Sequence, residues 1–549
     1  MTPRALARLL GAWLALLVVS AIAVARWAAL APVPPSERLV VATEWRNGEK
    51  SSRRVRPPEP GDDAPDGTAV LEVGVAEAPL LARSPFFELG LVPGLDGVRA
   101  SLGGRTAVVT VDDLLREQGY DRASGFASGQ LTMGADRELV LARLGEQLGV
   151  SARDVAQRAT LRRVRFERRV PRAKPAPRVT AEALDPAAVR AAVKGAGEYL
   201  ARGQDDRGRY RYLVNALENK TIAGYNLPRH AGATFFMAQA AGLLGDARLR
   251  WAVLMAAGYL RKEAMGACGP YTCVIDDGEA NAGSAALAVI AFTELVRRQL
   301  DDSFVHEVRL LAAFLRSLQR PDGELMHEYD RAKGRPIDVQ RLYFSGEAAL
   351  ALARAHRVTG DPADLEASKR LLARLVGTGW SFFGSRYYWG EEHWTCQAMA
   401  ELWDRAPNED ALTFCLRWHA YQQKLQYDAT DSPMDAEGAF GFGSFVSPRL
   451  TPASSRGEAG AATLAALRAA RPSDPAVGPL QREIDRAVAF VMRHQFTPGP
   501  THLFADPIAV QGGVPGSSVD WTVRMDYPQH AGSMMVRWLE LRERAPNPP

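Results

Sequence analysis

Arg229-His230-Ala231-Gly232 is a phrase that this chain repeats. Asn281-Ala282-Gly283, Ser345-Gly346-Glu347-Ala348, Arg456-Gly457-Glu458-Ala459 and Gln529-His530-Ala531-Gly532 are variants of it, each leading into a run rich in Ala and Leu. Glu391-Glu392-His393-Trp394-Thr395 holds the fourth place in the series, with the charged entry but without the small pair. A polar cluster followed by a small-residue helix, recurring roughly every 45–75 residues, reads as a repeated helical hairpin. Six hairpins predict a closed ring with six helix N-termini around one cavity. Such a ring gathers polar residues that are far apart in sequence.

Apolar spacing from residue 185 onward predicts alternating outer and inner helices. The outer ones are expected at 187–202, 247–263, 304–319, 363–376, 410–424 and 479–495. The inner ones are expected at 229–244, 280–299, 344–358, 392–404, 456–470 and 528–543. Gly245-Asp246 and Gly360-Asp361 supply a helix stop followed by a cap. A second phrase runs in register with the first. Tyr199-Leu200-Ala201-Arg202-Gly203-Gln204 precedes Gly208, Phe314-Leu315-Arg316-Ser317-Leu318-Gln319 precedes Gly323, and Phe490-Val491-Met492-Arg493-His494-Gln495 sits at the same point of the last hairpin.

Together these phrases resemble the (α/α)6-toroid superfamily over about residues 185–545. That group includes six-hairpin glycosidases, polysaccharide lyases, sugar epimerases, and lanthionine and terpene cyclases. The Cys and His zinc motifs of lanthionine cyclases are missing, and Asp276-Asp277-Gly278-Glu279 is not the Asp-x-Asp-Asp motif of squalene-type cyclases. The resemblance therefore implies a carbohydrate-active member. It is specific for architecture and weak for chemistry, because one fold hosts many reactions.

The 549 residues leave room for further domains, and 47% hydrophobic content marks a globular chain. A formal charge of +4, from 67 basic and 63 acidic residues, argues against a nucleic-acid partner. Arg4 and Arg8 precede the apolar run Leu9 to Ala25, which reads as a membrane anchor or, with Ala23-Val24-Ala25, as a cleaved signal. Residues 1–26 are that segment, 27–37 a stem, 38–170 a small α+β domain, 171–184 a linker and 185–545 the toroid. The expected architecture is thus mainly α: an (α/α)6 toroid preceded by a membrane anchor and a small α+β domain. Its expected location is the inner membrane, single pass, with the bulk on the periplasmic side.

In the small domain, Gly103-Gly104 predicts a hairpin and Arg137 to Leu148 a helix, with Asp112-Asp113 capping a shorter one. The basic run between 158 and 178, with alternation from Leu161 to Phe166, predicts an edge strand with a solvated face, or a site for an anionic polymer or lipid headgroups. Cys268 and Cys273 are expected to form a disulfide, and Cys396 and Cys415 to be buried small hydrophobes.

The predicted rim carries the chemistry. Arg229 and His230 fall at the first inner helix, Asp276, Asp277 and Glu279 at the second, Tyr343 and Glu347 at the third. Glu392 and His393 fall at the fourth, Arg456 and Glu458 at the fifth, Arg524, Asp526 and His530 at the sixth. Asp277 or Glu279 facing Glu458 or Asp526 would make the acid–base pair of a glycoside hydrolase. The same acids also suit helix N-termini as caps. His230, Tyr343, His393, Arg456 and His530 instead suit proton abstraction beside a uronate carboxyl group, as in an epimerase or lyase. Trp389 and neighbouring aromatics suit a saccharide groove. The expected partner is a polysaccharide or oligosaccharide, with no cofactor and no metal. A non-catalytic glycan-binding or assembly factor is the third reading.

Overall fold

The computed structural model describes residues 29–63, 65, 67–124, 132–171, 178–379, 393–430, 435–441, 447–497 and 501–543. The chain forms two compact units, one of residues 1–175 with 443–447 and 499–505, the other of the remainder. The expected anchor at 9–25, Trp389, and Glu392 lie outside the described residues. Among the described residues no helix is long and apolar enough to cross a membrane.

The first unit is built on an antiparallel sheet. Its strands are β1 (Ala31–Pro32), β2 (Val40–Arg46), β3 (Glu49–Arg56), β4 (Ala69–Pro79), β5 (Asp96–Leu102), β6 (Arg105–Val109) and β7 (Thr160–Arg169). The order is β3-β2-β4-β7-β5-β6, with β1 on β4. Gly103 and Gly104, both at positive φ, turn β5 into β6. The helix Arg137–Leu148 forms between the Asp136 cap and left-handed Gly149. The shorter helix Val111–Arg116 is capped by Thr110 rather than by the aspartates, with Asp113 closing a capping box.

The arginine-rich strand β7 is not an edge. It lies between β4 and β5. Its charge is answered inside the unit: Arg162 pairs with Glu77 at 2.7 Å, Arg165 with Asp96 at 2.5 Å and Arg168 with Asp112 at 2.6 Å. Period-two alternation looks the same in both positions. What distinguishes a central strand is the presence of partner acids on its neighbours, and these come from remote parts of the chain.

In the second unit the outer helices are α1 (Pro186–Arg202), α3 (Ala247–Tyr259), α5 (Val305–Ser317), α7 (Pro362–Arg374), α9 (Glu409–Gln422) and α11 (Val477–His494). The inner helices are α2 (Leu227–Leu244), α4 (Ala282–Arg297), α6 (Phe344–Thr359), α8 (His393–Leu402), α10 (Leu450–Ala470) and α12 (Asp526–Glu543). Each inner helix packs on the next, and α12 packs back on α2, so the ring closes. The stop-and-cap signals act as read. Gly245 and Gly360 end α2 and α6 in the left-handed conformation, and Asp246 and Asp361 cap α3 and α7.

The glycine of the recurring phrase has a packing role. A side chain at Gly283 would overlap Phe344 of α6, one at Gly457 would overlap Met534 of α12, and one at Gly532 would overlap Phe236 of α2. Small residues there let neighbouring inner helices approach closely. The second phrase is a staple. Gln204 donates to the carbonyls of Gly208 and Ala252, and Gln319 to those of Gly323 and Ala367, all at 3.0 Å. Gln426 does the same to Gly438 and Glu483, and Gln495 to Gly512 and Ala192. Each glutamine ties its own turn to the following outer helix. The last of them reaches α1 and locks the ring shut.

The staple turns need glycine. Gly438 has φ +87°, and a Cβ there would overlap the Arg486 carbonyl oxygen. Gly438→Ala is expected to cost about 3 kcal/mol or more in unfolding free energy, from backbone strain plus the clash. Gly245 also has positive φ but open space around it, so Gly245→Ala should cost only about 1–2 kcal/mol. Urea unfolding of the two variants side by side checks the difference.

At the C-terminal ends of α4 and α8, basic side chains meet the partial negative charge: Arg297 stands in the last turn of α4, and Arg357 of α6 donates to the Glu401 carbonyl of α8. Arg354, on α6, is 3% exposed and holds Glu294 at 2.6 Å and Glu401 at 3.4 Å. Arg297 and Arg357 also hold Glu401, and Arg298 bridges Glu294 to Glu540. Arg357 also pairs with Asp404. Burial works to raise the Glu294 carboxyl, but Arg354, Arg297 and Arg298 outweigh it and hold it at about 2.

Candidate functional site

The other end of the ring carries the inner-helix N-termini, and there three helices bring unlike groups together. His530, in the second turn of α12, meets Glu458 of α10 through its Nδ1 at 2.7 Å from Oε2. His393, the first residue of α8, lies with its ring centroid 5.6 Å from that of His530. Trp394 packs beside both imidazoles, at 4.7 Å from His393 and 6.2 Å from His530. Glu458 is fully buried, and among the described residues its second oxygen, Oε1, has no hydrogen-bond partner.

This pairing sets the state of His530. Burial alone would lower its pKa. The charge and hydrogen bond of Glu458 outweigh that, with help from Asp526, and the imidazole is held above its ordinary value. Because Nδ1 faces the carboxylate, Nε2 is the atom left for a reacting group.

Tyr343 stands next to His393, its ring 6.1 Å away and edge-on. It caps α6 at φ +69° and ψ −41°, with Phe344 N–H donating to the Leu342 carbonyl at 2.8 Å. That is a γ-turn, a strained geometry for a bulky side chain, and strain of this kind is characteristic of functional positions. Arg456, one turn before Gly460 on α10, is fully buried with its guanidinium over the Phe440 ring. Glu347 is buried in the first turn of α6.

Arg229, Arg524 and Asp526 form a second group at the start of α12. Arg524 grips Asp526 with two hydrogen bonds of 2.6 and 2.9 Å, and Arg229 adds a contact at 3.4 Å. Burial works to raise the Asp526 carboxyl, but Arg524 and then Arg229 outweigh it and hold it below the usual range. Asp526 is therefore a fixed anion rather than a proton donor. Asp277 and Glu279 sit on an exposed hairpin whose turn places Asp277 at φ +50°. Asp276, on the same hairpin, accepts from the Leu227 N–H at the start of α2.

His230, which the repeated phrase makes equivalent to His530, has a different place. Its Nδ1 meets the Tyr225 hydroxyl at 2.6 Å and its Nε2 the Ala256 carbonyl of α3 at 3.0 Å, inside a cage of Tyr210, Tyr225 and Tyr259. Both ring nitrogens are engaged. Burial pushes it down to about 4. His327 is similar: it is held by Ser345 and by the Arg341 N–H, and burial pushes it also to about 4.

These two histidines predict an acid-sensitive fold. Their folded pKa lies below the unfolded value, so between pH of about 6.5 and about 4 the unfolded chain binds protons that the folded chain refuses. Each is expected to contribute on the order of 3 kcal/mol at neutral pH, lost as pH falls through that window. Unfolding free energies at several pH values should decline steadily there. A flat curve would contradict the prediction.

The sequence reading named His393, Glu458 and His530 but did not group them. It also missed the second disulfide: Cys396 and Cys415 are bonded to each other, as are Cys268 and Cys273. The 396–415 bond joins α8 to α9 one turn below His393 and braces the helix that carries it. His393, Glu458 and His530 are also the residue types that take a first-row divalent cation, and their ligand atoms lie within 4.8 Å of one another.

No family model and no curated protein matches the sequence. Comparison of folds does find relatives. A sugar epimerase from a ruminal bacterium matches with a TM-score of 0.50 and 13% identity, over 65% of this chain and 98% of that one. Cellobiose 2-epimerase from Bacillus thermoamylovorans matches with a TM-score of 0.50 and 12% identity, over 65% of this chain and 99% of its own. At such identity the likeness speaks for architecture, and it coincides with the closed ring of hairpins traced above. By fold, this chain is an (α/α)6 toroid, similar in architecture to these solved structures.

Proposed function

We propose that the toroid is a carbohydrate-active enzyme that moves a proton at a sugar carbon, as an epimerase or isomerase does. The observation that carries this reading is the pair of imidazoles 5.6 Å apart, one of them held by a buried glutamate. A carbon acid next to a carbonyl or carboxyl group needs a base on the proton and a partner to return it. His530, polarised by Glu458, is the first base, and His393 is positioned to act on the same substrate carbon or its neighbouring oxygen. The partly exposed Arg229 and Arg524 supply positive charge at the rim for a polar substrate.

Hydrolysis by two opposed carboxylates fits the geometry less well. A general acid must carry a proton at working pH, and Asp526 is held ionised by two arginines. Glu458 is already committed to His530. The epimerase chemistry of two fold relatives supports the same reading by analogy of architecture. The substrate class is an oligosaccharide or polysaccharide end, or a uronate within one. Two disulfides favour an oxidising, extracytoplasmic compartment.

The test is solvent exchange. The purified chain is incubated with a panel of reducing oligosaccharides and uronate polymers in deuterium oxide, and carbon-bound protons are followed by NMR. Deuterium entering one position, with a new epimer or keto sugar, supports the proposal. New reducing ends without carbon-bound deuterium would replace it with hydrolysis, and an ultraviolet-absorbing product with elimination.

A further inference from the structure

The ion-pair network at the far end of the ring surrounds a cavity of about 590 Å³. That is far more than the roughly 30 Å³ that one water molecule occupies in the liquid. The space exists because the face of α10 turned to it is alanine, including Ala461 and Ala465. Its polar lining is unbalanced. The four carboxylates there, Glu294, Glu401, Asp404 and Glu540, are each paired with Arg297, Arg298, Arg354 or Arg357. Arg537 is the fifth arginine, and among the described residues no carboxylate lies in ion-pair range of it.

Arg537 donates a hydrogen bond to Gln397 Oε1 at 2.6 Å, and among the described residues its buried Nε has no partner. Gln397 is only 1% exposed, and among the described residues its Nε2 also has no partner. Gln239, 2% exposed, lines the same space. Arg537 thus brings one uncompensated positive charge to a cavity large enough for several heavy atoms, and the residues lining it include three buried N–H groups without a hydrogen-bond partner among the described residues, Arg354 Nε, Arg537 Nε and Gln397 Nε2, and one such acceptor, Gln239 Oε1. Buried polar groups left unpaired are costly, and a carboxylate that offsets the Arg537 charge and accepts from neighbouring donors lowers that cost.

We propose that this axial cavity is a binding site for a small, singly charged carboxylate, separate from the His393–His530 centre. The carboxylate oxygens accept from Arg537 and from the Gln397 amide, and its single charge balances the single surplus arginine. Gln397 lies one helical turn from His393 on α8, and Arg537 lies two turns from His530 on α12. A ligand here therefore bears on the two helices that hold the imidazole pair, which suits an effector of the toroid.

The experiment is calorimetric titration of the full chain with sodium gluconate at constant ionic strength, with inorganic phosphate as the comparison anion. One saturable site for gluconate is expected, at least about tenfold weaker in Arg537→Gln. Ala465→Leu fills the space without touching a charge and should abolish binding. His530→Gln should bind as the wild type does, which separates this site from the proposed reaction centre and makes the result independent of turnover. Absence of saturable gluconate binding, tighter binding of phosphate, unchanged binding in both cavity variants, or loss of binding in His530→Gln would overturn the proposal.

Discussion

His530→Gln is expected to lower the rate of carbon-bound proton exchange by about 10²–10⁴-fold, the range that a positioned acid–base group contributes. Glutamine keeps a hydrogen bond to Glu458 but cannot take up a proton, so binding should change little and kcat should carry the loss. His393→Gln is expected to fall in the same range. The double variant should be scarcely worse than the poorer single one, because groups acting in one step do not add. Circular dichroism and urea unfolding of each variant separate lost chemistry from lost fold. Near-normal exchange in both single variants would remove the imidazole pair from the mechanism and leave the site without its central argument.

Arg354→Met should give the largest loss of stability, about 3–5 kcal/mol. The side chain is 3% exposed and answers two carboxylates that are themselves almost entirely buried. Removing it leaves Glu294 and Glu401 with less compensation in a low-dielectric interior. The double change Glu294→Gln with Arg354→Met should recover part of the loss, because the unpaired charge goes with its partner. Urea unfolding at pH 7 measures both. A single variant within about 1 kcal/mol of the wild type would mean that the remaining arginines carry Glu294 and Glu401 by themselves.

The hairpin repeat was legible because its causes are local. Gly245-Asp246 and Gly360-Asp361 end one helix and start the next through backbone conformation and a short side-chain bond, which neighbouring residues decide. The glutamine phrase was visible as a recurrence, yet its meaning was not. Each amide reaches a carbonyl of another hairpin, such as Ala252 from Gln204, and only the assembled ring sets that distance.

The two histidines of the recurring phrase show where pattern reading stops. His230 and His530 both stand two residues before a glycine. Gly232 faces Gln529 of α12, whereas Gly532 faces Phe236 of α2. In a ring these neighbours lie on opposite flanks of their helices. A residue two positions away therefore turns toward the outer layer in α2 and toward the inner ring in α12. One imidazole meets the Ala256 carbonyl and the other meets Glu458. The Cys396–Cys415 bond was hidden for a related reason: two cysteines on separate helices are joined by the packing of α8 on α9.

The chain's own letters determined the twelve alternating helices, their caps and stops, and the spots where small residues were required. These depend on interactions within a few residues, and such interactions survive in any context. Which acids pair with the arginines of β7, which imidazoles converge, and where a surplus charge is left in the axial cavity were decided only by the tertiary structure. Those outcomes depend on helical phase and on contacts between segments tens to hundreds of residues apart. A rotation of about 100° per residue is enough to exchange an inward for an outward face.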